Sequence, residues 1–100
     1  MTSPVRSQFR ELRRVFAGYL HEDFVVEHGT PDAALRAFLV DASVAERRRF
    51  SREVSRFLEE TSALPMEDVR NLLARMGSRW APASRDALVR TLQTAARQSH

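Results

Sequence analysis

Apolar side chains recur every three or four residues along most of the chain, which is the spacing of a helix face. The first such stripe predicts a helix from about Ser7 to Leu20. Later stripes predict four more helices, at about 30–41, 43–61, 65–76 and 85–97. No convincing strand pattern separates them. The sequence therefore predicts an all-α fold, a compact single-domain bundle of about five helices.

Three of the predicted helices begin at clear start signals. Thr30 precedes Pro31, and a hydroxyl at the N-cap followed by proline in the first turn favours a helix start. Ser43 is followed three residues later by Glu46, which is the pattern of a capping box. Ser84 is placed to cap the last helix.

The segment 21–29 lies between the first two predicted helices. Phe24, Val25 and Val26 are β-prone, but three residues do not make a sheet. We expect an extended loop whose Phe24 fills the core and which ends at Gly29.

The length and composition are those of an ordinary globular domain. The chain has 100 residues, of which 43% are hydrophobic and 29% charged. These values predict one domain over residues 1–100, with an ordered part at about 7–97. No apolar run is long enough to span a membrane, and the N-terminus lacks the layout of a secretory signal. We therefore expect a cytoplasmic protein without a membrane partner.

Few residues could support catalysis or bind a metal. There is no cysteine, and His21 and His28 do not have the spacing of a helical metal-binding pair. The adjacent His21, Glu22 and Asp23 should point in different directions if they lie in a loop, so they cannot all face one substrate. A nucleophile elbow and a glycine-rich phosphate loop are both missing from the sequence. We expect no enzymatic activity, no catalytic residue, no metal and no cofactor.

Charge is unevenly distributed, although the net charge of the whole chain is only +3. The segment 21–46 carries six acidic residues and one arginine, a net charge of −5. Such a segment could attract a basic partner, or it could simply be a solvated surface.

The third predicted helix offers a second kind of partner. Arg48, Arg52 and Arg56 share one face of it and could contact phosphates, as in a small nucleic-acid-binding or regulatory domain. Acidic residues are interleaved with these arginines, however, and no recognition-helix signature accompanies them. Nucleic acid is therefore the less favoured partner.

Several of these residues together resemble the helical immunity proteins of contact-dependent growth inhibition systems. The resemblance covers roughly residues 8–95 and is most specific at residues 19–24, where the pattern is Tyr-x-His-x-Asp-aromatic. Gly29-Thr30-Pro31, Phe57-Leu58 and the later pair Trp80 and Pro82 extend it. It implies a cytoplasmic protein with no activity of its own that binds and neutralises a cognate toxin domain, often a nuclease or other small enzyme.

The candidate contact surface follows from the charge pattern, because acidic side chains can enter a nuclease cleft in place of phosphate. It consists of the segment that contains the acidic triplet, the tyrosine before it and two flanking aspartates: Tyr19, His21, Glu22, Asp23, Glu27, Asp32 and Asp41. For His21 and Asp23 a structural role, tying the loop to the helix ends, is an equally good interpretation.

Overall fold

The structure, a computed structural model, describes residues 8–99 and shows six helices in that range. The all-α prediction is confirmed. The helices, in chain order, are α1 Arg10–Tyr19, α2 Phe24–His28, α3 Pro31–Asp41, α4 Val44–Glu60, α5 Met66–Arg75 and α6 Arg85–Gln98.

The additional helix is α2, in the segment where the sequence predicted an extended loop. Phe24 is buried and His28 half-buried, and residues four apart lie on the same side of a helical turn. Burial of Phe24, as predicted, therefore favours a helical turn over the extended backbone that the neighbouring valines prefer. Gly29, with φ of +85°, ends the helix by donating its N–H to the carbonyls of Phe24 and Val25.

The predicted start signals are all in use. Thr30 accepts a hydrogen bond from the N–H of Ala33, and Ser84 accepts one from Ala87. Both halves of the capping box form, because Ser43 accepts from the N–H of Glu46 while Glu46 accepts from the N–H of Ser43.

Helix α1 begins later than predicted, and Ser7 lies outside the described residues. Phe9 adopts a left-handed backbone with φ of +51° and offers no side-chain cap to α1. Its ring is buried 5.4 Å from that of Phe57, so aromatic packing holds this conformation. The N–H of Leu12 instead donates to Glu53 on α4, 3.0 Å away.

All six helices contribute to the core, including α2 through Phe24 and α5 through Val69 and Leu73. Helix α4 packs against α1 and α6, and α3 packs against α1, α2 and α6. The largest fully buried side chains are Phe16, Phe50 and Phe57. In this arrangement the C-terminal ends of α1, α2 and α3 are neighbours.

Candidate functional site

Tyr19 joins three helices at the centre of the predicted contact surface. It is the last residue of α1, and its ring stacks on that of His28 at 6.4 Å, with an interplanar angle of 30°. The same ring meets Phe38 of α3 edge-on at 5.7 Å. Its hydroxyl donates to the Asp41 carboxylate at 2.9 Å. Tyr19 thus fixes the position of α2 relative to the end of α3.

The environment of Tyr19 favours its neutral form. Partial burial raises the pKa of the phenol above its ordinary value of 10.0, and the hydrogen bond to Asp41 adds to this effect. The negative charges of Asp41 and Glu46 act in the same direction, and Arg14 opposes them. At neutral pH Tyr19 is therefore a hydrogen-bond donor.

The His21–Glu27 segment is held by its own polar contacts. His21 Nδ1 accepts from the N–H of Asp23 at 3.1 Å, and His21 Nε2 lies 3.3 Å from the Glu27 carboxylate. His28 Nε2 lies 3.8 Å from the other Glu27 oxygen. Both ring nitrogens of His21 therefore contact groups within the turn that leads into α2.

The groups that could hold a metal ion in this segment are His21, Asp23 and Glu27, whose ligand atoms lie within 4.8 Å of one another. Both ring nitrogens of His21 already face a partner. Ligation through Nε2 would move the proton to Nδ1, where it would oppose the N–H of Asp23. The geometry thus favours a polar turn over a metal site, although the side chains converge more closely than the sequence predicted.

Five of the seven predicted residues take part in the hydrogen bonds, ion pairs and ring contacts described above, which we call the polar network: Tyr19, His21, Asp23, Glu27 and Asp41. Glu22 and Asp32 are exposed, and within residues 8–99 neither side chain makes a hydrogen bond or ion pair. Their carboxylates are accordingly open to a partner.

Two further charged residues border the site and were not predicted as part of it. Arg14 lies 3.3 Å from Glu46, and both line a depression of about 330 Å³ beside Tyr19 and Asp41. The capping-box bonds from Ser43 lower the pKa of Glu46 below its ordinary value of 4.5, and Arg14 contributes to the shift. The sequence predicted Glu46 as a capping residue of α4. Its contact with Arg14 could not be predicted, because it depends on how α1 and α4 pack.

The arginine-rich side of α4 is separate from this site. Arg48, Arg52 and Arg56 are exposed, as predicted, and the last two line a shallow depression of about 290 Å³ with Arg49 and Glu53. Glu53 itself is turned toward the N-terminus of α1.

A buried carboxylate lies next to this basic side. Glu11 of α1 is only 3% exposed, and its Oε2 pairs with Arg14 at 3.2 Å. Its Oε1 has no hydrogen-bond partner within the described part of the chain. The helical stripe gave no signal for this burial, because Glu11 lies beside the predicted apolar face.

Together, the helical bundle and its surface of internal polar contacts define a small all-α protein. The chain belongs to the CdiI immunity protein family, whose model matches residues 8–97. This confirms the resemblance found in the sequence, and membership implies toxin neutralisation in general. No curated protein and no solved structure was found to match the chain. No helix within residues 8–99 is long and apolar enough to cross a membrane.

Proposed function

We propose that this protein binds the cognate toxin of a contact-dependent growth inhibition system in the cytoplasm and neutralises it by direct contact. The contact surface is the acidic surface defined by Tyr19, His21, Glu22, Asp23, Glu27, Asp32 and Asp41. Family membership supports the neutralising role. The proposal includes no catalytic step.

The observation that supports this surface is the way in which Tyr19 fixes it. Its hydroxyl bond to Asp41 and its stacking on His28 hold the acidic turn against α3 before any partner arrives. A preorganised surface loses less conformational entropy on binding, which favours affinity. The net charge of −5 over residues 21–46 favours a basic partner. A nuclease is one such partner, since its cleft attracts phosphates.

The experiment begins with co-expression of the C-terminal domain encoded by the gene immediately upstream. The protein is captured from lysate, and co-purifying chains are identified by mass. Near-equal recovery of the toxin domain, with its activity inhibited, is the expected result. Failure of the purified wild-type protein to bind and inhibit that domain would contradict the proposal.

A charge reversal then tests the surface. E22R/D23R should weaken toxin binding about tenfold or more, because it replaces attraction with repulsion during association. The chain provides a matched control in Glu67 and Asp68, a second exposed Glu-Asp pair, at the start of α5. E67R/D68R should leave affinity close to that of the wild type. If both variants bind the toxin domain with equal affinity and keep their helical circular dichroism, Glu22 and Asp23 are not part of the interface.

The exposed arginines of α4 support a second candidate, a nucleic-acid-binding or regulatory domain that uses Arg48, Arg52 and Arg56. The same capture experiment tests it. Recovery of nucleic acid that is lost as salt rises, without a toxin domain, would favour this alternative.

A further inference from the structure

The exposed large hydrophobic side chains are confined to one part of the described chain. Val25 is 60% exposed, Val26 89%, Val40 82% and Val44 55%, and residues 8–99 contain no others in this class. All four lie within the acidic segment 21–46. Exposed apolar side chains and excess negative charge therefore coincide in the sequence, while the basic remainder of the described chain keeps its large apolar side chains at least partly covered.

Neither helix formation nor core packing explains these valines. Val25, Val26 and Val40 lie inside helices, where a β-branched residue is less favourable than alanine, leucine or glutamate. The core contact of α2 is made by Phe24, so the two valines that follow it add little burial. An exposed apolar group that contributes little to folding is informative when it lies beside charged groups, because interfaces combine apolar contacts with a polar rim.

Tyr19 contacts the two helices that carry Val25, Val26 and Val40. Its ring stacks on His28, one turn after Val25 on α2, and its hydroxyl bonds Asp41, which follows Val40 on α3. Helices α2 and α3 pack directly against each other. Val25 and Val40 therefore each lie within one helical turn, along their own helix, of a residue that contacts Tyr19.

We propose that Val25, Val26, Val40 and Val44 are the apolar contacts through which the acidic surface holds its toxin. This inference rests on the proposed function and specifies the partner's chemistry: a protein domain with an exposed apolar patch bordered by basic side chains. Charge complementarity selects this occupant over a second copy of the chain. In a symmetric dimer two segments with a net charge of −5 each would face each other and repel.

The test compares three variants in binding to the upstream-encoded toxin domain: V25T/V26T, V40T/V44T and the control V89T. Threonine keeps the shape of valine and replaces a methyl group with a hydroxyl. Val89 is a half-buried residue of α6, outside the acidic segment. We expect both double variants to bind about tenfold or more weakly through faster dissociation, since apolar contacts act mainly on the dissociation rate. V89T should bind as the wild type does.

Wild-type binding comes first, because it separates two kinds of failure. If the wild type does not bind the toxin domain, the proposed function fails. If it binds and both double variants match its dissociation rate, the valines are not contacts and only this inference is overturned. Sedimentation of the isolated protein tests whether a second copy of the chain binds these valines instead. A concentration-dependent dimer that both double variants abolish would overturn the inference in favour of self-association.

Discussion

At the level of single residues, Tyr19 makes contacts that join three helices. It is half-buried, stacks on His28, packs on Phe38 and donates to Asp41. A neutral hydrogen bond of this kind contributes modestly to stability, and one to a charged acceptor contributes more. Tyr19 therefore has two effects: it fixes the position of α2, and its hydrogen bond contributes to the free energy of folding.

Replacing Tyr19 with phenylalanine should lower the free energy of unfolding by about 0.5–1.5 kcal/mol at neutral pH. This is less than is usual for a bond to a charged acceptor, because the bond to Asp41 is exposed to water. The ring contacts remain, while the Asp41 carboxylate loses its donor. Urea denaturation followed by circular dichroism measures the change. The control is F38L, which alters the packing beneath Tyr19 but leaves its hydroxyl bond in place. If Y19F weakens toxin binding, its loss of affinity should exceed that of F38L. Unchanged stability in Y19F would show that the hydroxyl bond contributes nothing.

The raised pKa of Tyr19 predicts a pH effect of definite sign. The unfolded chain loses the phenol proton near the ordinary value of 10.0, whereas the folded chain retains it to a higher pH. The stabilisation from the neutral phenol is thus complete below that value and is lost as pH rises through the folded pKa. Because Tyr19 is the only tyrosine, phenolate absorbance in the folded protein should titrate at higher pH than in urea. D41N should bring the two titrations closer together.

At the level of helices, local signals and long-range contacts were predicted with different success. The hydroxyls that start α3, α4 and α6 act on N–H groups three residues away, so the sequence contains the whole interaction. Helix α2 was missed because five residues are too few to show a helical period and its β-prone valines suggested extended backbone. Burial of Glu11 and capping of α1 by Glu53 depend on partners brought close only by folding.

In the predicted site, too, local features were visible in the sequence and long-range contacts were not. The charge pattern predicted the acidic surface, but the bond between Tyr19 and Asp41 spans 22 positions and could not be derived from spacing. The exposure of Val26 and Val40 could not be predicted either, because an apolar residue in a sequence pattern is normally assigned to the core.

The capping box of α4 provides a prediction for one helix. Ser43→Ala should destabilise the protein by about 0.5–2 kcal/mol, because the N–H of Glu46 loses its acceptor at the helix start. Glu46→Gln is the matched control, since glutamine can still accept from the N–H of Ser43. Thermal unfolding of the two variants measures the difference. Equal destabilisation would indicate that the charge of Glu46 and its contact with Arg14 matter as much as the cap.

The lowered pKa of Glu46 adds an acid dependence. The folded chain ionises this carboxyl at a lower pH than the unfolded chain does, so its stabilisation is complete above 4.5 and is lost as pH falls through the folded pKa. Glu46→Gln should therefore flatten the loss of stability on acidification. A pH profile unchanged by this substitution would contradict the prediction.

Gly18 and Gly77 both lie beside Ala17, but an alanine substitution should have opposite effects at the two positions. At Gly77, which follows α5 with φ of +97°, an added Cβ would lie 2.9 Å from the Cβ of Ala17 and 3.1 Å from its backbone Cα. Gly77→Ala should destabilise the protein by more than about 1 kcal/mol, from backbone strain and this close approach together. Gly18, within α1, has nothing within 4 Å of an added Cβ, so Gly18→Ala should stabilise it by up to about 1 kcal/mol. Denaturant midpoints of the two variants that shift in the same direction would contradict this account.

At the level of the whole molecule, the chain separates its charges. The segment 21–46 is strongly negative, whereas the rest of the chain has an excess of arginine. The exposed arginines of α4 and the acidic surface thus offer different partners, and salt affects both kinds of binding. Salt sensitivity alone therefore does not identify the interface, and variants on each side are needed.

The last prediction uses those variants together. Toxin affinity measured across a range of ionic strength should fall with salt for the wild type, because attraction by the acidic surface is screened. E22R/D23R should bind weakly and show a shallower salt dependence. R48Q/R52Q/R56Q, which leaves the acidic surface intact, should keep both the affinity and the salt dependence of the wild type. The opposite result, in which the arginine variant loses the toxin and the acidic variant retains it, would move the interface to α4. In that case the acidic segment would be a solvated surface, and the partner would present negative charge.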